Sequence, residues 1–362
     1  MFSNRHSLLT GVTVAWATGA TILAGMILLL VLRAPHFNKS PETNIGFDKD
    51  LGWAPAAKPE QPESIPFSET VGQRLDVIDH ARRHILLLGD SITQGWGLRD
   101  DETFARVLGR EVHQFQVLNG AVTGYSPDQY YLYMKRLLPH LRPRLVVVIF
   151  TSNDLQGTST ANNYGMSKPL FRWNGSRVVL STPSPCGERC VRWLANSRLF
   201  GLLGWWARQP QSTPGPSDRR DQLARVISSI CRIPRIELDE ARNVMNGIAG
   251  EMVHAAALRG ARVLFVLSPA AGSITDLPST ETRSWNPRFP SNKWFQDFFR
   301  ERQYDYFDLT PVLQQKYCEV SDGRSSCDWS QWSIDGSHYS VEGSRFVGKT
   351  LFRFISARYG IR

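Results

Sequence analysis

The sequence is poor in cysteine, which accounts for only five of its 362 residues. Five cysteines are too few for a disulfide-dense scaffold, and their spacing does not match a zinc site, so we expect no metal and no cofactor. The mean hydropathy of −0.27 excludes a membrane protein with many spans. Internal repeats and nucleic-acid-binding motifs are also missing from the sequence, which leaves an ordinary globular protein as the expected class.

The chain is basic, with a formal charge of +9 and an isoelectric point near 9.5. A basic balance favours anionic partners such as a lipid surface or an acidic glycan, although charge alone does not choose between them. Hydrophobic residues make up 42% of the chain and charged residues 21%, as in globular proteins generally. At roughly 150 residues per domain, the length allows two domains or one enlarged domain.

One long hydrophobic run stands near the N-terminus. Leu8–Leu32 contains no charged residue, and as a helix it would span about 37 Å, enough to cross a hydrocarbon core of ~30 Å with some tilt. We therefore predict an uncleaved single-pass anchor over residues 1–33. A cleavable signal peptide is the alternative, but its apolar region is usually about 7–15 residues long, and no small-x-small cleavage site follows this run.

The rest of the chain is predicted to be a tether followed by one domain. Residues 34–69 are rich in Pro, Lys, Glu and Asn and lack helical periodicity, which is typical of a linker. Residues 70–362 are predicted to be the folded domain. An insertion at about 156–234 interrupts its alternation of short apolar runs and amphipathic stretches. Within the insertion, Phe171–Val179 predicts a hairpin turning at Asn174-Gly175.

The insertion also contains an apolar, aromatic helix candidate at Val191–Ala207. Such a helix could lie on the bilayer surface, line an acyl-chain channel, or simply pack on the domain core. The residue pattern leaves these three interpretations open.

Short apolar runs alternate with amphipathic stretches through the predicted domain. This alternation predicts an α/β fold with a mainly parallel sheet. The predicted strands are His84–Leu88, Phe115–Leu118, Leu145–Phe150, Arg262–Leu267 and Tyr304–Leu309. The predicted helices include Leu238–Leu258, Val341–Ala357 and one that begins at the capping sequence Ser126-Pro-Asp-Gln129.

Polar residues follow three of these strands, where a parallel sheet binds its ligands. Gly89-Asp-Ser-Ile-Thr-Gln-Gly95 follows the first strand and presents Ser91 in a strand-to-helix turn. Asn119–Gly124 follows the second strand, and Gly124 could bring a backbone N–H close to a ligand. Thr151-Ser-Asn-Asp154 follows the third strand, so the amide of Asn153 is expected at the same edge. Taken singly, each segment could be an ordinary turn or helix cap.

A base for Ser91 is available near the C-terminus. Asp335-Gly-Ser-His338 spaces a carboxylate and an imidazole three residues apart, so the two can meet within one tight loop. A nucleophilic serine needs such a base, and the base needs an orienting partner. One Asp–His pair among eight histidines is unremarkable, but its occurrence together with the three strand-end segments is not.

These four blocks together resemble the SGNH hydrolase superfamily, also called the GDSL-type esterases and lipases. The matching residues are Gly89-Asp-Ser-Ile92, Gly124, Asn153-Asp154 and Asp335-x-x-His338, and the resemblance covers about residues 84–155 and 235–357. It implies a three-layer α/β/α flavodoxin-like sandwich. The third block of the family usually begins with Gly, and Thr151 stands in that place, which puts pocket shape in question more than chemistry.

The resemblance also implies a role for each site residue. Ser91 is expected to attack an ester carbonyl, His338 to take and return the proton, and Asp335 to orient the imidazole. The backbone N–H groups of Ser91 and Gly124 and the side-chain amide of Asn153 are expected to form the oxyanion hole.

The cysteines bear on which side of the membrane the domain faces. We predict short-loop disulfides Cys186–Cys190 and Cys318–Cys327, with Cys231 left as a free thiol; five independent thiols are the alternative. Disulfides favour an extracytoplasmic domain. The few charges near the anchor, with Arg5 before it and Arg33 and Lys39 after it, weakly favour the opposite side.

The function expected from the sequence is a serine esterase that removes acyl groups, acetyl above all, from a cell-envelope carbohydrate. We expect it at the inner membrane, anchored through Leu8–Leu32, with a periplasmic or extracellular domain and no nucleic-acid partner. An O-acyltransferase that modifies an extracellular polysaccharide is the nearest alternative, because the same residues can transfer an acyl group to a sugar when water is excluded. A non-catalytic glycan-binding module is an alternative of another class.

Overall fold

The computed structural model describes residues 45–56, 70–151, 153–163, 166–181, 226, 229–231, 233–269, 292–321, 324–327 and 329–362. The predicted anchor at 1–33 and the helix candidate Val191–Ala207 lie outside these residues. None of the described helices is both long enough and apolar enough to span a membrane. Residues 43–183 and 234–362 form one compact unit, and residues 1–42 and 184–233 form another, most of which is not described.

The described helices are α1 (Ser91–Gln94), α2 (Phe104–Glu111), α3 (Pro127–Leu137), α4 (Asp154–Thr158), α5 (Leu238–Ala257), α6 (Asn292–Glu301), α7 (Thr310–Tyr317) and α8 (Val341–Tyr359). The described strands are β1 (Ile45–Asp48), β2 (Gly52–Pro55), β3 (Thr70–Val71), β4 (Asp76–Val77), β5 (Arg83–Leu88), β6 (Phe115–Asn119), β7 (Pro143–Phe150), β8 (Asn162–Asn163), β9 (Met166–Ser167), β10 (Leu170–Trp173), β11 (Val178–Ser181), β12 (Arg262–Leu267), β13 (Tyr306–Asp308), β14 (Cys318–Ser321) and β15 (Arg324–Cys327).

A five-stranded sheet in the order β13-β12-β7-β5-β6 forms the centre of the larger unit. All four of its strand pairs are parallel. These are the five strands predicted from the sequence, so that prediction is confirmed. Because the strands run in one direction, their carboxyl ends lie along one edge, and the segments carrying Ser91, Gly124 and Asn153 all leave from that edge.

The sheet is buried on both faces, as its nearly continuous apolar strands require. Alternate residues such as Leu87 and Val147 face a core shared with α2, α7 and α8. On the other face, Phe150 stacks against Tyr130 of α3 and Phe299 of α6. The result is the expected α/β/α sandwich.

Two local sequence signals also hold. Helix α3 begins at Pro127, and the Ser126 N–H donates to Gln129 Oε1 at 3.2 Å, as the capping sequence predicted. Strands β10 and β11 pair antiparallel around a loop that contains Asn174-Gly175, which confirms the predicted hairpin.

The tether prediction is wrong for residues 45–55. Strands β1 and β2 form an antiparallel hairpin there, and its Leu51 and Trp53 are buried. The Tyr125 hydroxyl donates to the Trp53 carbonyl oxygen at 2.7 Å, and Arg136 forms an ion pair with Asp48. Apolar burial and these polar contacts fix a segment whose Pro- and Asn-rich neighbourhood is typical of a linker.

Residues 156–181 of the predicted insertion belong to the larger unit. A fully buried ion pair between Lys168 and Asp128 joins this segment to α3. Lys168 Nζ also donates to the Pro169 carbonyl oxygen at 3.0 Å. A charged pair taken out of water persists only with such close partners, so it holds the segment in one place.

The disulfide prediction is corrected at Cys231, which is disulfide-bonded and not a free thiol. Cys318 is also disulfide-bonded, and the pairing of β14 with β15 sets Cys327 directly opposite it. Cys186 and Cys190 lie outside the described residues. Sequence spacing could not reveal the Cys231 bond, because the fold and not the spacing brings cysteines together.

Candidate active site

Ser91 is the first residue of α1, immediately after the turn that ends β5. Asp90 caps this short helix: its Oδ1 accepts a hydrogen bond from the Ile92 N–H at 2.9 Å. The cap directs the Asp90 carboxylate into the protein and leaves the Ser91 hydroxyl at the strand edge. Ser91 is only partly buried, so a substrate could reach its Oγ.

His338 lies against Ser91 although 247 residues separate them. The distance from Ser91 Oγ to His338 Nε2 is 2.8 Å. The distance from His338 Nδ1 to Asp335 Oδ2 is 2.7 Å. The structure thus joins a hydroxyl, an imidazole and a carboxylate in one continuous line of hydrogen bonds.

The loop before α8 fixes Asp335 and His338 relative to each other. Asp335 Oδ1 accepts hydrogen bonds from the Ser337 N–H at 2.9 Å and the His338 N–H at 2.8 Å. The His338 carbonyl oxygen accepts from the Ile334 N–H at 2.9 Å and from Ser333 Oγ at 2.9 Å. The imidazole is therefore held by its own backbone as well as by the carboxylate.

The Asp335 carboxyl is adapted to remain charged. Partial burial alone would raise its pKa, but the hydrogen bonds from the His338 and Ser337 backbone and from the His338 ring outweigh burial and lower the pKa. An ionised carboxylate can only accept, so His338 Nδ1 carries the proton of that contact. In the neutral imidazole, Nε2 is then the acceptor for the Ser91 hydroxyl.

Gly124 presents a backbone N–H at the same edge. Its φ of +77° lies in the left-handed region, which glycine adopts without strain. Within the described part of the chain, neither the Gly124 N–H nor the Ser91 N–H donates a hydrogen bond. Both donors are thus available to a ligand.

Asn153 is the third candidate donor, and two buried neighbours hold its side chain. Its Nδ2 donates to Asp90 Oδ2 at 3.3 Å, and its Oδ1 accepts from the Thr151 hydroxyl. Thr151 Oγ1 also lies 3.2 Å from Asp90 Oδ2. Because an amide nitrogen carries two protons, one remains for a ligand while the other is held by Asp90.

Two buried carboxyl groups, those of Asp90 and Asp154, hold the residues around Asn153 in place. Burial raises the pKa of Asp90, against hydrogen bonds from Ile92 and Asn153 that lower it. Burial raises the pKa of Asp154 well above its ordinary value, and the neighbouring Asp90 raises it further. Asp154 accepts from the Thr151 N–H at 2.7 Å and from the Tyr130 hydroxyl at 2.9 Å, so it fixes the end of β7.

The sequence did not identify several residues that shape the site. Trp53 donates a hydrogen bond to the Thr123 carbonyl oxygen, and Asn163 donates one to the Gly124 carbonyl oxygen. Trp96 lies against the His338 ring. Trp53 was assigned to the tether and Asn163 to the insertion, so both were excluded from the site. Of these three residues, only Trp96 could have been linked to the site from the sequence, because it lies five residues after Ser91.

The arrangement has a definite chemical capacity. A hydroxyl faces a neutral imidazole nitrogen that can take its proton, and N–H donors stand free nearby to bind a developing anion. In the residues that the structure describes, no cluster of three or more His, Cys, Asp or Glu side chains could hold a metal ion. The hydroxyl, the imidazole and the N–H donors are groups that nucleophilic acyl chemistry uses.

Residues 87–257 match the model of the GDSL-like lipase/acylhydrolase family. The chain carries a GDSL-like lipase/acylhydrolase domain. Members of this family, also called SGNH hydrolases, are carboxylic ester hydrolases, and the chain is accordingly an esterase or acylhydrolase of the GDSL type. Asp335 and His338 lie beyond the matched residues, so their inclusion in the site rests on the distances above.

Solved structures of a lipolytic protein and of two esterases resemble the chain at low sequence identity. A G-D-S-L family lipolytic protein from Veillonella parvula is 10% identical, with a TM-score of 0.39 over 77% of this chain and 99% of that chain. A catalytic mutant of an acetylxylan esterase from Geobacillus stearothermophilus is 12% identical, with a TM-score of 0.40 over 75% and 94%. An esterase from Pseudoalteromonas is 11% identical, with a TM-score of 0.38 over 76% and 97%. No curated protein sequence matches the chain.

Proposed function

We propose that Ser91, His338 and Asp335 are the catalytic triad of a serine esterase. The observation that carries this proposal is the line of hydrogen bonds from Ser91 Oγ to His338 Nε2 (2.8 Å) and from His338 Nδ1 to Asp335 Oδ2 (2.7 Å). With Asp335 ionised and the imidazole neutral, each contact takes the direction that general-base activation of a serine requires.

In the first half of the reaction, Ser91 Oγ attacks the ester carbonyl carbon and its proton passes to His338 Nε2. The carbonyl π electrons move to the oxygen, which becomes an oxyanion. When the tetrahedral intermediate collapses, the bond to the alcohol oxygen breaks and His338 gives that oxygen the proton. The alcohol leaves, and an acyl group remains on Ser91.

In the second half, water attacks the acyl carbon while His338 takes one of its protons. Collapse of this intermediate breaks the bond to Ser91 Oγ, which recovers the proton from His338. The products are the carboxylic acid and the free enzyme. Asp335 stays ionised throughout and stabilises the imidazolium that forms in each half.

The oxyanion is bound by the Ser91 N–H, the Gly124 N–H and the Asn153 amide. Support comes from the two unengaged backbone donors and from the remaining amide proton of Asn153. Loss of one such donor typically lowers turnover by about 10²–10³-fold.

The proposed substrate is an acetyl ester on a cell-envelope carbohydrate. The support is the apolar run Leu8–Leu32, which would hold the enzyme at a membrane, together with the disulfide-bonded Cys231 and Cys318, which favour an oxidising compartment. In this proposal the domain acts outside the inner membrane. A protease added to intact spheroplasts should then digest it; protection until lysis would contradict this location.

The activity is tested with full-length enzyme and a series of p-nitrophenyl esters that differ only in acyl length. Acetate cleavage that falls as the acyl chain lengthens, and that Ser91→Ala abolishes, is the expected result. Product formation only with a sugar acceptor, as acyl-sugar, would contradict hydrolysis and indicate an O-acyltransferase. Absence of turnover and of labelling by a serine-reactive phosphonate would indicate a non-catalytic glycan-binding module.

A further inference from the structure

Trp96 lies directly against the imidazole of His338. The two ring centroids are 4.7 Å apart, with 40° between the ring planes. The backbone N–H of Trp96 donates to the Ser91 carbonyl oxygen at 3.0 Å, so the turn that carries Ser91 also fixes Trp96. The residue nevertheless remains 37% exposed, which leaves part of the indole open beside the reacting groups.

A second exposed apolar residue borders the same place. Ile334 is 47% exposed and belongs to the loop that carries Asp335 and His338. A Cβ added at Gly97, next to Trp96, would come 2.8 Å from Ile334 Cδ1, so the two segments are in close contact. We call Trp96 and Ile334 together the apolar rim.

The proposed chemistry determines which part of the substrate meets the rim. His338 Nε2 must protonate the leaving oxygen, so the alcohol moiety of the ester sits beside the imidazole. The carbonyl oxygen instead points to the free N–H groups of Ser91 and Gly124. Trp96, which packs on the imidazole, is therefore on the alcohol side of the ester.

We infer that the apolar rim is a subsite for the alcohol moiety and that it takes a ring, with one ring face on the exposed indole. This inference rests on the proposed esterase function. Indole offers a flat, electron-rich face to ring C–H groups or to another π system, whereas a flexible alkyl chain gains less from such a surface and loses more rotational freedom. A sugar ring and an aryl ring share this chemistry.

The test compares three primary-alcohol acetates: methyl 6-O-acetyl-glucopyranoside, benzyl acetate and n-heptyl acetate. The readout is the ratio of kcat/KM for each ring ester to kcat/KM for the heptyl ester, which cancels any general effect of Trp96 on His338. Trp96→Phe keeps an aromatic face, whereas Trp96→Leu keeps only apolar bulk. Phe47→Leu is the matched control. It removes an aromatic side chain that is 82% exposed and is not part of the apolar rim.

We expect Trp96→Leu to lower the ring-to-chain ratio about fivefold, the size of one stacking contact, and Trp96→Phe to stay within about twofold of wild type. A fall for the glucoside supports a sugar alcohol, and a fall for the benzyl ester alone supports an aryl alcohol. An equal loss on all three esters in Trp96→Leu would overturn the subsite, because Trp96 would then act only by packing on His338. If wild-type enzyme hydrolysed none of the esters and resisted the phosphonate, the esterase proposal itself would fail as well.

Discussion

The indole N–H of Trp53 donates a hydrogen bond to the carbonyl oxygen of Thr123, 3.1 Å away. That carbonyl and the N–H of Gly124 belong to one planar trans peptide unit and point in opposite directions. Trp53 thus sets the direction of the N–H that we assign to the oxyanion hole. Asn163 Nδ2 holds the next carbonyl, that of Gly124, at 2.8 Å.

Replacing Trp53 by Phe should lower kcat about tenfold and leave KM nearly unchanged, because a misdirected Gly124 N–H is lost mainly to the transition state. Steady-state kinetics with p-nitrophenyl acetate measures both constants. Tyr125→Phe is the matched control. It removes the hydrogen bond from the Tyr125 hydroxyl to the Trp53 carbonyl oxygen but leaves the bond from Trp53 to Thr123 in place. Equal kcat losses in the two variants would show that only general destabilisation is at work.

Thr151 should act as a positioning residue for Asn153. Thr151→Val removes the hydroxyl that bonds Asn153 Oδ1 and leaves a partly buried acceptor unpaired, so we expect kcat to fall about five- to tenfold at nearly constant KM. Thr151→Ser keeps the hydroxyl and should retain most of the turnover. If valine and serine behaved alike, the hydroxyl would have no role in positioning Asn153.

Asp335→Asn should lower kcat by about 10³–10⁴-fold, because an amide can present its NH2 group to His338 Nδ1 and favour the wrong tautomer. Since the pKa of Asp335 is lowered, this carboxylate is present above its ordinary pKa of 3.8 and is lost only as the pH falls through its still lower folded value. The side-chain carboxyl signal of Asp335, identified in 13C NMR as the one that Asp335→Asn removes, should therefore show no protonation step from pH 5 to 8. A protonation step within this range would contradict an ionised Asp335.

The contribution of Asp48, in the hairpin of residues 45–55, to the free energy of unfolding should depend on pH. Partial burial would raise the pKa of Asp48, but hydrogen bonds from Arg136 and from the Leu51 and Asp50 N–H groups lower it to about 2. A depressed folded pKa adds stability above the unfolded value of 3.8 and loses it as the pH falls toward 2. Asp48→Asn should thus lower the free energy of unfolding by about 1 kcal/mol at pH 7, after allowance for solvent screening.

Urea denaturation of wild type and Asp48→Asn at pH 7, 4, 3 and 2 measures this difference. We expect it to shrink between pH 4 and pH 2. A difference that does not change with pH would mean that the Asp48 charge contributes nothing to docking of the hairpin.

Much of the fold followed from local patterns in the sequence. The apolar runs that predicted five strands, such as Leu145–Phe150, match the sheet because a strand covered on both faces has few polar residues. Ser91, Gly124 and Asn153 were expected at one edge because each follows a strand, and the structure puts His338, from the later segment, in contact with Ser91.

What escaped the sequence depends on contacts between distant segments. Trp53 and Leu51 are isolated apolar residues in a linker-like stretch, and only the surface they pack against makes them a hairpin core. The bond from Asn163 to Gly124 likewise joins segments that no periodicity relates, and the spacing of the cysteines gave no sign that Cys231 is disulfide-bonded. The Thr151 contact with Asn153 was invisible because it depends on side-chain rotamers and not on spacing.

The central claim is that Ser91 is the nucleophile, and covalent labelling tests it most directly. Full-length enzyme treated with a fluorophosphonate is digested and analysed by mass spectrometry while esterase activity is followed. We predict one adduct, on Ser91, whose formation parallels the loss of activity, and no labelling or turnover in folded Ser91→Ala. Labelling at another serine, or esterase turnover retained by Ser91→Ala, would contradict the account.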